Sequence, residues 1–363
     1  MKINLIFFLA RFGFGGAGNS VYRLCKSLNK KKFNISVICL KDCSYKNELE
    51  KENIKIFKIN SNRVLYSIFK VQKIVNKISK NTQKTIFISN INYTNLVCSM
   101  FLKKKHNLKL IAIERTPFKE LEIYFGIIDF IKKTIMKMLI YVFYKNFDKI
   151  ICNSKYLGNY LKVKYGYKSI TIYPPSINQK INFQKKFNKK NLLLTTICRL
   201  SKEKKVHEII YALKFLNQKN IKLNIIGNGP EKKKLFNLIN KLALSNQVKL
   251  LGQKRNIFKY LLKTDLYINS SYFEGFPNSV VEAASFGIPI ISSQSHGGIN
   301  EILLNGKCGT IYSNGYKNLA DIIKKFYKHP KNFFIKARIA KKNIKKFTVL
   351  NHKKNFEKFL KTI

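Results

Sequence analysis

Residues 269–293 read "NSSYFEGFPNSVVEAASFGIPIISS". The stretch opens on the end of an apolar run, "DLYINSS", passes through a Gly-Phe-Pro-Asn turn, and reaches a second apolar run, "IPIISS". Between the turn and that second run lie nine residues of mixed polarity, 279–287. Strand, loop, short helix and strand in that order make a parallel βα unit. Pro277 suits the helix entry and Asn278 or Ser279 its cap. Backbone amides at such an entry form a site for negative charge. Glu274 then stands at the loop tip, and Glu282 lies about a turn into the helix, facing back towards the same crevice. The chain holds only 18 acidic residues against 70 basic ones. Two carboxylates here read as a catalytic pair, as metal ligands, or as two solvated charges flanking a helix start.

Outward from this unit the same alternation continues. Upstream come "NLLLTTICRL", a helical pattern over 206–217, "IKLNIIGNGP", a helix over 231–243, "QVKLLG" and a helix over 256–263. The first half repeats the scheme: "INLIFFLA", the loop "RFGFGGAGNS", a helix from Val21 to Leu28, "NISVICL", and later "TIFIS", "LKLIAIE" and "DKIIC". Alternation of this kind argues for parallel sheets covered by helices. The paired prolines of "TIYPPSIN", residues 171–178, interrupt it and mark a hinge between two α/β units. A length of 363 residues fits two domains. We expect one domain over 1–172, a second over 173–345, and a C-terminal helix over 346–363 that packs back towards the first.

Composition bounds the function. With 45% hydrophobic residues the chain buries sizeable cores, which excludes the disordered class. The formal charge of +52 comes from 63 Lys and seven Arg, and a field so positive draws polyanions or an anionic membrane surface. No basic–aromatic recognition module accompanies the charge, so no specific nucleic-acid partner is expected. Seven cysteines without a CxxC pair or zinc spacing read as buried thiols in a reducing compartment. The start "MKINLIFFLA" lacks a small-residue cleavage site and reads as a buried strand. Residues 118–147 are dense in aromatic and aliphatic side chains with interspersed lysines. The densest part, Thr134 to Tyr144, is too short to cross a bilayer, and suits either an amphipathic helix on its surface or a core helix packing between domains.

Three further motifs carry chemistry. Gly13-Phe-Gly15-Gly16-Ala-Gly18 follows a strand and satisfies GxGxxG, with Asp42 near the place of a ribose-binding acid. That pattern fits a nicotinamide domain, any phosphate, or a tight turn alone. Arg199 and Lys204 lie in the loop after a strand, a fork and a mobile charge suited to a diphosphate, though in so basic a chain a solvated loop reads as well. Downstream, Gly297-Gly298 bends the chain and Glu301 opens the next helix. Three acids converging on one cleft make a poor structural choice without a ligand. A metal is disfavoured, since no DxD occurs and no His joins the group.

Taken in order, Arg199-Leu-Ser-Lys-Glu-Lys204, Gly227-Asn-Gly-Pro230, Glu274-Gly-Phe-Pro with Glu282, and Gly297-Gly298-Ile-Asn-Glu301 resemble the retaining, GT-B-fold glycosyltransferases of the EX7E type, glycosyltransferase family 4. The resemblance is strong from about residue 192 to 313 and looser before. It implies an α/β GT-B fold, two Rossmann-like parallel-sheet domains facing a central cleft, and an EC 2.4 hexosyltransferase-type activity. It gives Glu274, Arg199 and Lys204 catalytic roles: Arg199 and Lys204 would hold the donor diphosphate, and Glu274 would sit beside the transferred sugar. Glu282 would bind the ribose hydroxyls and Glu301 would join the donor pocket. Gly15, Gly16 and Gly227 would approach the donor, as would backbone amides at Phe276, Asn278 and Ser279. "IAIERTPFKE" is similar to a segment of relatives acting on bacterial surface polysaccharides, which places Glu114 and Arg115 on the acceptor side; a strand-end salt bridge is the plainer alternative. The chain departs from the family at Cys198 and Lys205, each standing where Gly is usual, at Gly18, where many relatives have Glu, and in a first-domain His that is not evident.

The expected function is transfer of a sugar from a nucleotide-diphosphate sugar to a lipid-linked glycan acceptor in cell-surface polysaccharide synthesis. The expected partners are the nucleotide sugar, that acceptor and an anionic membrane surface. No cofactor and no metal are expected, and the expected place is cytoplasmic, peripheral on the inner face of a bacterial plasma membrane. A GT-B-type nucleotide-sugar epimerase and a non-enzymatic polyanion binder are the rivals.

Overall fold

The computed structural model describes residues 2–363 apart from 42, 81, 125, 179–180, 182–190 and 314, so Asp42 lies outside the described residues. The chain forms two compact units, Met1–Pro175 with Val349–Ile363, and Ser176–Thr348. The prolines of "TIYPPSIN" thus end the first unit, three residues beyond the boundary expected after residue 172.

The first unit is built on seven strands: β1 (Ile3–Leu9), β2 (Phe33–Cys39), β3 (Lys55–Lys58), β4 (Thr85–Asn90), β5 (Leu108–Glu114), β6 (Lys149–Cys152) and β7 (Ile170–Thr171). They pair in the order β3-β2-β1-β4-β5-β6-β7, every pair parallel. Central strands such as β1 and β4 are buried along nearly their whole length, as a parallel sheet covered on both faces requires. Leu5, Phe7 and Leu9 of β1 share a core cluster with Val21 and Leu24 of the helix Gly16–Ser27 and with Phe356 and Phe359 of the helix Val349–Leu360. Ile6 and Phe8 join Ile68 and Val71 of the helix Val64–Ser79 in another. The period-two alternation of one strand therefore feeds two cores.

The second unit has β8 (Leu192–Ile197), β9 (Ile221–Ile226), β10 (Val248–Gly252), β11 (Leu266–Asn269), β12 (Phe273–Glu274), β13 (Ile290–Ser293), β14 (His296–Gly297) and β15 (Thr310–Tyr312). Six form a sheet in the order β10-β9-β8-β11-β13-β15, while β12 and β14 make a separate two-stranded parallel pair. The helices fall close to expectation at Val206–Leu216 and Lys232–Lys241, whereas the expected helix over 256–263 shrinks to Phe258–Leu261. The unit opens and closes at one place: Ser176 N–H donates to the Phe347 carbonyl at 3.0 Å, and Ile177 bridges Thr348 in parallel.

Candidate active site

Both switch-point loops of the second sheet, after β8 and after β11, emerge at the carboxyl ends of adjacent parallel strands, where open α/β sheets place ligands. The loop after β8 carries Arg199, exposed, and Lys204, mostly covered. The loop after β11 carries Glu274. Lys204 Nζ and Glu274 Oε1 lie 2.6 Å apart, with side chains only 14% and 16% exposed. Burial alone would lower the Lys204 ammonium, but the adjoining carboxylate more than offsets it, and the group sits above its ordinary value. Ser271 Oγ lies 2.8 Å from the same Glu274 oxygen and 3.0 Å from Asn269 Oδ1, so its single proton can serve either. Asn269 in turn donates to Ser292 Oγ at 3.0 Å, and Ser270 Oγ donates to the Lys204 carbonyl at 2.7 Å. A hydroxyl and amide ladder along the strand ends thus holds the ion pair from below. Sequence inspection missed Ser271 and Asn269 as parts of the site. The signal was present in the polar run "NSS" ending an otherwise apolar strand.

Three glycines let the loops touch. A Cβ on Gly227 would lie 1.8 Å from the Cys198 carbonyl oxygen, and one on Gly229 would lie 2.3 Å from that of Leu200. Gly297, at φ +140°, presses against the Glu274 carbonyl, where a Cβ would stand at 1.4 Å. Backbone pairing of β12 with β14, continued by Gly298 N–H to the Gly275 carbonyl at 3.1 Å, fixes the loop that carries Glu274. The glycine lost at 205 has a cost: Lys205 adopts φ +46°, a left-handed conformation that L side chains resist by roughly 1–2 kcal/mol. Its ion pair with Glu208 at 3.3 Å is worth only a few tenths of a kcal/mol. Lys205→Gly should therefore raise the thermal midpoint by about 2 °C, a shift that calorimetry can read.

The other expected residues are placed as follows. The helix begins at Asn278 with Pro277 in the cap position, so neither Asn278 nor Ser279 caps it by side chain. Asn278 instead accepts a hydrogen bond from Ser176 Oγ at 2.7 Å, and Ser279 bonds the buried Tyr267 phenol. Phe276 is buried edge-on against Phe347. Glu282 is 7% exposed, and Glu301 is half-buried in the first turn of Ile299–Leu303. Among the described residues no group of three or more His, Cys, Asp or Glu is arranged to hold a metal ion.

In the first unit, Gly15 precedes the helix Gly16–Ser27 with open space where a Cβ would go. At Gly18 a Cβ would stand 2.1 Å from the Gly13 carbonyl oxygen, so this loop has no room for the glutamate of many relatives. Glu114, ending β5, is fully buried and bonded by Asn95 Nδ2 at 2.6 Å and Tyr144 Oη at 2.7 Å. Arg115 turns away to Asn90 Oδ1 at 3.0 Å. Burial pushes the Glu114 carboxyl up to about 7, against the pull of its two donors.

Residues 177–347 match the family Glycosyl transferases group 1, and residues 14–180 match Glycosyltransferase Family 4. Together the two matches take in nearly the whole chain, which belongs to this class of GT-B glycosyltransferases. Among solved structures, Anabaena Alr3699/HepE in complex with UDP and glucose is similar over 99% of both chains, with a TM-score of 0.79 and 19% identity. Sucrose-phosphate synthase from Thermosynechococcus elongatus is similar over 99% of both, with a TM-score of 0.83 and 13% identity. The Methanocaldococcus jannaschii protein described as uncharacterized glycosyltransferase MJ1059 is 45% identical over 60 residues, which span 16% of this chain and 15% of that protein.

Proposed function

We propose that the protein transfers a sugar, with retention, from a nucleotide-diphosphate sugar to a lipid-linked glycan in surface-polysaccharide synthesis at the cytoplasmic face of a bacterial membrane. The observation that carries this reading is the Lys204–Glu274 pair, 2.6 Å apart at the strand ends inside the group 1 match. An ammonium and a carboxylate held together meet the two charges of the reaction. Positive charge develops at the anomeric carbon as the glycosidic bond breaks, and negative charge gathers on the departing diphosphate. Lys204 and the exposed Arg199 of the same loop stabilise the leaving group; Glu274 stabilises and orients the sugar. Glu282 takes the ribose hydroxyls, and Glu301 completes the donor pocket with Gly227 and the backbone at Phe276, Asn278 and Ser279. Gly15 and Gly16 are assigned to the donor, as glycines that let a phosphate come close to the backbone, and the Glu114–Arg115 segment to the acceptor. Front-face attack within an ion-pair state, assisted by the leaving phosphate, needs no metal. Alr3699/HepE, whose structure holds UDP-glucose, supplies a precedent for the donor class.

A thermal-shift screen of nucleotide sugars tests it. A donor at about 100 times its Kd should stabilise the chain by about 2.7 kcal/mol, a plain rise in midpoint. The reading fails if no nucleotide sugar moves the midpoint. Interconversion of the donor's sugar without any acceptor would instead make the protein an epimerase.

A further inference from the structure

The helix Ile127–Phe143 is apolar on two opposite faces. Inward, Ile140 is fully buried, and Met136 and Leu139 pack on the first unit's core. Outward, Ile128, Ile131, Ile135, Met138 and Val142 are all exposed, Ile128 by 79% and Met138 by 64%. At 100° per residue these five fall within about 80° of arc, opposite Ile140. Lys132 is exposed on one flank of the stripe, and Lys145 is exposed just past the helix end, in the turn Tyr144–Asn146. The helix's one acid, Asp129, is held by Lys133 at 2.8 Å, and Lys137 bonds the Tyr124 phenol at 2.9 Å. A pocket of about 570 Å³ beside the stripe, lined by Arg63, Tyr93, Lys132, Lys133 and Met136 along with the acids Glu120 and Asp129, joins this helix to the start of Val64–Ser79. That second helix exposes Tyr66 by 70% and Phe69 by 71%, with Lys70 and Lys73 exposed beside them.

We infer that these two helices dock the chain on an anionic lipid bilayer, the stripe lying parallel to the surface among the acyl chain ends. Several features choose this occupant. The helix has 17 residues, about 25 Å, and among the described residues no helix is long and apolar enough to cross a membrane. An apolar face edged by lysines suits the interface, where the stems lie on hydrocarbon and the ammonium groups reach the headgroups. A second copy is a poor cover, because an isologous contact would bring two chains of formal charge +52 together. The charge that repels a copy attracts phosphatidylglycerol.

Flotation of the full chain tests this, with vesicles of mixed phosphatidylglycerol and phosphatidylcholine against pure phosphatidylcholine, at about 150 mM salt, where the Debye length is about 8 Å. The parent chain should float with the anionic vesicles. Ile131→Glu with Ile135→Glu should cut the bound fraction at least tenfold with an unchanged melting midpoint, since both side chains face solvent. Lys132→Glu with Lys145→Glu should weaken binding to the anionic vesicles alone. The inference is overturned if the parent stays unbound, or if the isoleucine variant floats as well as the parent, which would assign binding to lysine spread over the whole surface. A parent dimer that the isoleucine variant dissociates would equally overturn it. No sugar transfer enters the readout, so its failure and that of the donor chemistry are distinguishable.

Discussion

Glu274→Gln is expected to lower transfer about a thousandfold while the chain stays folded and still binds nucleotide. The substitution keeps an oxygen for Ser271 to bond but removes the charge that faces Lys204. Lys204 is mostly covered, so losing its partner costs stability, at the low end of the 3–5 kcal/mol typical of a broken buried pair. In the variant the ammonium keeps only the weaker pull of Glu203, so a bound diphosphate becomes its main counter-charge. Apparent affinity for a nucleoside diphosphate should therefore hold or tighten as kcat collapses. Lys204→Ala should behave differently, weakening nucleotide binding together with kcat, because the group proposed to hold the leaving phosphate is gone. Steady-state kinetics with calorimetric titration of the nucleotide separate the two. If Glu274→Gln keeps activity within tenfold of the parent, the assignment of Glu274 to the reacting sugar is wrong.

A large effect on stability is expected from two buried groups of the first unit that titrate in opposite senses. His352, in the C-terminal helix, is buried with Nδ1 donating to the Tyr173 carbonyl at 2.6 Å and Nε2 without a partner among the described residues. Burial lowers the imidazole from 6.5 to about 4. Between those values the unfolded chain holds the extra proton, so stability falls as pH falls, by about 3 kcal/mol in all. Glu114 is raised by burial from 4.5 to about 7. Here the folded chain holds the extra proton, so stability is full below 4.5 and falls as pH rises through 7, again by about 3 kcal/mol. Across the shared window from 4.5 to 6.5 the two slopes cancel. His352→Gln should leave a chain that gains stability on acidification relative to the parent, and Glu114→Gln one that loses it. Urea unfolding at several pH values gives the difference curves, in which groups common to variant and parent drop out. Curves parallel to the parent's would refute the assignment.

The alternation of apolar runs made both sheets legible, because a parallel strand buried on two faces is apolar along its length. The ordered loop motifs likewise pointed to the acids and cations after β8 and β11. What stayed hidden depends on contacts distant in sequence. Lys204 and Glu274 are 70 residues apart, and nothing in either loop says that they pair. The close approaches at Gly227 and Gly297 each involve a carbonyl from another loop, so glycine there looks like ordinary turn chemistry. Glu114 sits in a motif that points to an acceptor, yet its carboxylate turns to Asn95 and Tyr144, a direction set by the helices around it. The helix Ile127–Phe143 was readable as apolar, but periodicity does not choose between a surface and a core role when both faces are apolar. His352 lies in a lysine-rich tail whose sequence gives no sign of a buried imidazole.

The chain crosses into the second unit at Ser176 and out at Thr348, and those crossings lie side by side, joined by the Ile177–Thr348 bridge and the Ser176–Phe347 hydrogen bond. In topological terms the second unit is a cassette inserted into the first, whose last helix is made only after the cassette is complete. During synthesis β1 must wait for Phe356 and Phe359 to close its core, so the first unit is finished last although it is begun first.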